Sequence, residues 1–269
     1  MSALEEVVLR ESIGLVVPTI DTELPVLAAA KERFSGLGCL MLVSDRGFVD
    51  TCSDKWSTFT AFRDIGVPTP ESWLPPERGL SEWVGELWPR DEPLFVKPRR
   101  GSSSKDAYAI DASEVPAYVG RIDDPIIQRR MTGPEITVDC LLSLEGEPLH
   151  YVPRERIRTL GGESIQGRTL DDKEIAVWLS GVLDACSRLG ARGPITLQAF
   201  LTPAGPVLTE VNPRFGGGYP LARAAGGDYP AWLVGHLDAQ PTQLELGGYV
   251  RDLYMTRYSV EHFAPDLPW

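Results

Sequence analysis

The stretch Ile195-Thr196-Leu197-Gln198-Ala199-Phe200-Leu201-Thr202-Pro203-Ala204-Gly205-Pro206-Val207-Leu208-Thr209-Glu210-Val211-Asn212-Pro213-Arg214 reads as a β-hairpin that ends on a cation. Apolar and polar residues alternate from Ile195 to Leu201, Pro203-Ala204-Gly205 turns the chain, and Val207 to Val211 returns. A three-residue loop of Pro203, Ala204 and Gly205, with Gly205 left-handed, sets Gln198 opposite Glu210. Opposed residues share a face, and period two adds Asn212 to it. A carboxylate and an amide oxygen two residues apart are hard donors of the kind magnesium takes. Arg214 supplies a fixed positive charge a short step beyond, suited to a transferring phosphoryl group. In isolation the same residues also fit an ordinary polar hairpin end.

A second phosphate-directed feature lies upstream. Leu94-Phe95-Val96-Lys97-Pro98 reads as a strand that runs into a loop at Gly101-Ser102-Ser103-Ser104, with Tyr108-Ala109-Ile110 as its hairpin partner. Backbone N–H groups and hydroxyls of such a loop can donate to phosphate oxygens while a lysine supplies charge. No GxxxxGK[ST] and no GxGxxG occurs. Ser102 to Lys105 matches SxxK, but the Ser-Asp-Asn and Lys-Thr-Gly elements that accompany that nucleophile are missing.

Working outward, Pro125 to Gln128 is a further strand, and Glu135 to Leu144 alternates up to a turn at Glu145-Gly146-Glu147. A helix is expected from about Asp171 to Leu189, with Ile175, Trp178, Leu179, Val182, Cys186 and Leu189 as its core-facing stripe and Gly190 as its stop. Toward the N-terminus, Gly14 to Pro18 and Cys39 to Ser44 read as buried strands around a helix from about Pro25 to Phe34, a parallel β-α-β unit. The next helix starts at Ser53, its expected N-cap, and runs to about Ile65. Pro75-Pro76 marks a linker, and no internal repeat or low-complexity tract appears.

Composition bounds the partners. The 269 residues allow one large or two modest domains, and the net charge is −12. Such a surface repels nucleic acid and anionic membranes but not a single nucleotide, whose charge a few lysines and magnesium ions neutralise. The four cysteines form no CxxC pair and only three histidines occur, which argues against a zinc framework and for free thiols in the cytoplasm. No stretch is long and apolar enough for a membrane span, and the acidic start Met1-Ser2-Ala3-Leu4-Glu5-Glu6 is unlike a secretory signal.

Five features in order carry a resemblance: Asp54-Lys55 opening a helix; Phe95-Val96-Lys97-Pro98 before Gly101-Ser102-Ser103; Gln128 followed by Gly133-Pro134-Glu135; Gln198; and Glu210-Val211-Asn212-Pro213-Arg214. The sequence resembles the ATP-grasp superfamily, in particular its carbamoyl-phosphate-synthetase-like branch of small carboxylate-amine ligases. The resemblance implies an α/β (α+β) chain, an ATP-grasp fold preceded by a shortened parallel α/β domain. The implied boundaries are 1–75 for that first domain and 76–269 for the ATP-grasp domain, with the lid over about 76–132 and the metal-binding part over about 133–269. It implies ATP and two magnesium ions, with manganese as a substitute, and small-molecule carboxylate and amine substrates.

By the same resemblance, Lys55, Lys97, Ser102 and Ser103 contact phosphates. The run from Gln128 through Arg130 to Met131 reads adenine, and Glu135 takes the ribose hydroxyls. Gln198, Glu210 and Asn212 ligate magnesium, with Glu210 bridging, and Arg214 serves the γ-phosphate. Period two on a strand puts Arg154, Arg156 and Arg158 on one face, as holders of a substrate carboxylate or phosphate. Gly217, in the run Gly216 to Pro220, permits close backbone approach to substrate. Three departures stand out. Gln128 replaces the usual glutamate, and Lys105-Asp106-Ala107 sits where relatives often carry a glycine. The chain also begins partway through the family's first domain, so the expectation is that either a second copy or a partner chain covers the shortened sheet or the true start lies upstream. Two rivals remain: activation of bicarbonate or carbamate, and a nucleotide-binding module without turnover.

Overall fold

The computed structural model describes residues 2–101, 105–161, 163–240, 243–261 and 263. Helix α1 (Ser2–Glu11), strand β1 (Leu15–Val16), helix α2 (Leu24–Ser35) and strand β2 (Leu40–Met41) form the first layer. β1 and β2 pair in parallel, Leu15 with Leu40, as the β-α-β reading expects. Leu24, Leu27, Phe34 and Met41 pack its small core. Helix α3 (Arg46–Cys52), which the sequence reading did not anticipate, leads into α4 (Lys55–Asp64). The N-cap of α4 is Asp54 and not Ser53: Asp54 accepts from Trp56 N and Ser57 N at 2.9 and 3.2 Å. Ser53 instead bonds back to the Val49 carbonyl at 2.7 Å and closes α3, so the cap moves one residue on.

Next come β3 (Ser72–Trp73), α5 (Leu80–Leu87), β4 (Pro93–Pro98), β5 (Tyr108–Asp111), α6 (Val115–Val119) and β6 (Pro125–Arg129). They build an antiparallel sheet in the order β3-β6-β4-β5. This smaller sheet packs Leu94, Val96, Ile110 and Ile127 against Val84 of α5, Trp88 just beyond it and Val115 of α6. It draws β3 from ahead of Pro75.

The larger unit holds β7 (Glu135–Leu142), β8 (Pro148–Leu160), β9 (Glu163–Thr169), α7 (Ala176–Leu189), β10 (Gly193–Thr202), β11 (Gly205–Asn212), α8 (Tyr219–Ala224), α9 (Tyr229–Leu237) and β12 (Tyr254–Thr256). Its sheet is antiparallel, in the order β11-β10-β7-β8-β9-β12. Strict alternation divides its faces. Ile136, Val138 and Cys140 of β7 and Ile195, Leu197 and Ala199 of β10 are buried with Leu179, Val182 and Cys186 of α7. Each of the Ile, Leu and Val side chains among them contributes about 1.5–3 kcal/mol by leaving water. Their neighbours Thr137, Asp139, Thr196 and Gln198 must face the other way. α7 starts later than expected, because the Asp172 carboxylate is held by the Tyr151 hydroxyl at 2.6 Å and by Arg251 at 2.7 Å ahead of the first turn.

The hairpin pairs Gln198 with Glu210 as expected, but by another route. Thr202 pairs with Gly205, so the loop is two residues, Pro203 and Ala204. The register then shifts between Gln198 and Ala199, which faces Leu208, and Thr209 is left as the extra residue of a bulge. The Thr209 hydroxyl donates to the Gln198 carbonyl at 3.1 Å and pins that bulge. Gly133, at φ +119°, brings the segment after β6 against β10, where a side chain would collide with the Leu201 carbonyl.

Candidate functional site

A cleft of about 1440 Å³ opens between the two antiparallel sheets. Phe95 and Lys97 of β4 and Gln128 and Arg129 of β6 line one wall; Thr196, Gln198, Glu210 and Asn212 of the hairpin line the other. Nine basic and six acidic side chains line it, in a chain whose net charge is −12, so the cleft is locally cationic and suited to an anion.

The hairpin end carries the oxygen donors. Gln198 and Glu210 stand opposite each other, and Asn212 follows opposite Thr196. Among the described residues no three of the His, Cys, Asp and Glu side chains are placed to hold a metal ion together. A cation here would rest on one carboxylate and amide oxygens, a donor set that fits a hard ion keeping waters or phosphate oxygens.

Two lysines approach the same end. Lys55 is the first residue of α4, and its Nζ donates to the Gly101 carbonyl at 2.9 Å. That ties the helix to the start of the loop beyond β4. Asp54 reinforces the tie, accepting from Arg99 at 2.5 Å and from Arg100 at 2.9 Å. Lys97 is the penultimate residue of β4, with its Nζ 5.5 Å from the Phe95 ring centre. Burial pushes its ammonium down to about 8, with Lys55 adding to the effect and Glu210 and Glu135 opposing it.

At the far end of the cleft, Gln128 is buried and donates from Nε2 to the Ser72 hydroxyl at 2.7 Å. This leaves its amide oxygen as the acceptor. Arg130, Met131 and Glu135 also line the cleft. Glu135 is ion-paired to Arg156, so one expected substrate arginine braces the expected ribose carboxylate.

Arg154 lines the cleft and pairs with buried Asp139 at 2.7 Å. Gly218 lies so close to the Arg154 guanidinium that a side chain there would collide with it. One guanidinium nitrogen, Nη1, and one Asp139 oxygen, Oδ1, find no protein partner. Arg158 departs from expectation: register shifts flank it in the β8–β9 ladder, it is exposed, and Thr159 lines the cleft instead. The irregular ladder breaks the period-two rule that grouped the three arginines. Gly217 lines the cleft, with Arg257 donating to its carbonyl. Ser102 and Ser103 lie outside the described residues.

Arg214 also reaches the cleft, in company that the sequence did not suggest. Asp21 accepts from its Nε and Nη2 at 2.6 and 2.5 Å, across 193 positions of chain. Thr196 and Thr209, likewise unremarked, also line the cleft, their hydroxyls donating to the Arg214 and Gln198 backbone carbonyls at 2.9 and 3.1 Å.

Two antiparallel sheets closing on a cationic cleft, with oxygen donors on the hairpin of the larger one, are the hallmark of the ATP-grasp architecture. A family model described as "ATP-grasp in the biosynthetic pathway with Ter operon" matches residues 121–253. A D-alanine–D-alanine ligase of Corynebacterium urealyticum is 30% identical over 235 residues, which cover 74% of this chain and 62% of that protein. Among solved structures, the biotin carboxylase domain of Hydrogenobacter thermophilus 2-oxoglutarate carboxylase, in complex with MgADP, ADP and bicarbonate, superposes with a TM-score of 0.75. That match is 13% identical and covers 94% of this chain and 60% of the other. An L-amino acid ligase of Bacillus licheniformis gives 0.69 at 20% identity, covering 90% and 60%. The chain has the ATP-grasp fold, and its residues 121–253 match an ATP-grasp family model. It spans 62% of the length of its curated ligase relative. Among the described residues no helix is long and apolar enough to cross a membrane.

Proposed function

We propose that the chain is an ATP- and magnesium-dependent ligase that activates a carboxylate as an acyl phosphate and passes the acyl group to an amine, releasing ADP and phosphate. The observation that carries this reading is the convergence of Gln198, Glu210, Asn212 and Arg214 with Lys55 and Lys97 on one cleft. Gln198, Glu210 and Asn212 would hold two magnesium ions, which screen phosphate charge when bound. Lys55, Lys97 and Arg214 orient the triphosphate for in-line attack by the carboxylate oxygen on the γ-phosphorus, with ADP as the leaving group. The amine nitrogen then attacks the acyl carbon, expels phosphate and loses a proton. Gln128, Arg130, Met131 and Glu135 hold the nucleoside, with Ser102 and Ser103 covering the phosphates, and Arg154 and Gly217 face the substrates. Positioning and electrostatics do the work, and no protein nucleophile is required.

The same reading keeps 1–75 as a first domain and 76–269 as the ATP-grasp domain, with β3 lent to the lid sheet. A cytoplasmic setting rests on the four free cysteines. The mass in solution tests whether a second copy or a partner chain covers the first layer.

An ADP-release screen across amino acids, small carboxylates, amines and bicarbonate tests the reaction. Turnover with a carboxylate and an amine together is the expected result; turnover with bicarbonate alone moves the chain to the carbamoyl-phosphate chemistry. ATP binding that yields no ADP with any member, and that Glu210→Gln leaves intact, reduces it to a binding module.

Lys97 gives the reaction a pH signature. Its ammonium is charged below about 8 and attracts phosphate; above that it is neutral. The kcat/KM for ATP is expected to fall on the alkaline side with a midpoint near 8, and Lys97→Met to flatten that limb. Because burial lowers this pKa from 10.5, stability contributed by the group rises as pH climbs from about 8 to 10.5. Urea unfolding at pH 7 and 10 reads that change separately from activity.

A further inference from the structure

The Asp21–Arg214 pair joins the turn after β1 to the end of β11, and it uses the guanidinium selectively. Arg214 has five N–H donors. Asp21 takes two, at 2.6 and 2.5 Å, and the Phe215 carbonyl takes one from Nη1 at 2.9 Å. One N–H remains on each Nη. The side chain keeps 17% exposure and lines the cleft beside Glu210 and Asn212. Asp21, Glu210 and Asn212 also share the wall of a smaller recess of about 190 Å³, so the aspartate borders both this recess and the main cleft together with the oxygen donors.

We propose that Asp21 is a positioning residue: it fixes the Arg214 guanidinium so that its remaining N–H pair meets the terminal phosphoryl group of the nucleotide. The proposal rests on the ATP-grasp ligase reading given above. A guanidinium held by a carboxylate on one side and a carbonyl on another does not reorganise when an anion arrives, and donors fixed in advance stabilise developing charge best. The bidentate contact also explains why the aspartate is tolerated beside an anion site: it sets the orientation while two donors stay free. The competing arrangement, in which the aspartate fills the place of the phosphoryl group and blocks it, predicts the opposite sign.

The test compares magnesium–AMPPNP with magnesium–ADP on the full chain by titration calorimetry. The wild-type chain is expected to prefer magnesium–AMPPNP. Asp21→Ala and Arg214→Met should each reduce that preference by about tenfold with the magnesium–ADP affinity retained, the scale of a charge-assisted contact. The double variant should lose no more than either single one. A retained or increased preference in Asp21→Ala overturns the proposal, as does a wild-type chain with no preference. Where Asp21→Ala loses magnesium–ADP binding, isosteric Asp21→Asn decides: loss of magnesium–ADP binding there too makes Asp21 a structural residue and overturns the proposal. Failure of the wild-type chain to bind magnesium–ADP at all rejects the nucleotide reading itself.

Discussion

Glu210→Gln is expected to reduce magnesium-dependent ATP turnover by about 10³-fold or more while the chain stays folded. Glu210 is the one carboxylate among the three oxygen donors, and it stands across the ladder from Gln198. The amide keeps the size of the side chain and removes its charge. A metal that screens phosphoryl charge contributes several kcal/mol to the transition state, and each 1.36 kcal/mol is tenfold in rate. The loss should be partly recovered at high magnesium, since the two amide oxygens remain. Far-UV circular dichroism and thermal melting check the fold, and ADP release checks turnover. A variant within tenfold of wild type would remove Glu210 from the metal site.

The largest effect on stability is expected at Arg154. Its pair with Asp139 is almost sealed, with side-chain exposures of 3% and 2%. Arg154→Ala leaves a buried carboxylate without its counter-charge, and breaking such a pair costs about 3–5 kcal/mol. Restoring neutrality by Asp139→Leu in an Arg154→Met background should recover most of that loss. Urea unfolding of the two variants measures both numbers. A single variant that loses less than about 1 kcal/mol would show that water or a rearranged neighbour already compensates Asp139.

What the sequence made legible follows from how far each signal reaches along the chain. The strands around Lys97, Gln128 and Gln198 and the stripe of α7 are local periodicities, and they stand where the pattern put them. The order of motifs pointed to the ATP-grasp fold, because five short features in sequence constrain one topology. Three things escaped. The cap of α4 fell on Asp54 because Ser53 found a nearer acceptor in the preceding helix. Arg158 left the cleft because irregularities in the β8–β9 ladder change its facing, and bulges have weak sequence signals. Asp21 and Arg214 meet only because β1 and the hairpin are folded side by side, and no local pattern encodes a contact over 193 positions.

The bulge at Thr209 has a consequence for tolerance. With that residue deleted, Leu208 would still face Ala199 and Glu210 would still face Gln198, in an uninterrupted ladder. The hairpin can therefore close without it. What the spare residue changes is aim: Thr209 and Glu210, adjacent in the chain, both line the cleft, where simple alternation would send one of them away. Length at this point is surplus to folding and adds one residue to the cleft wall. A shortened hairpin should keep its melting temperature and the Gln198–Glu210 pairing while losing Thr209 from the cleft.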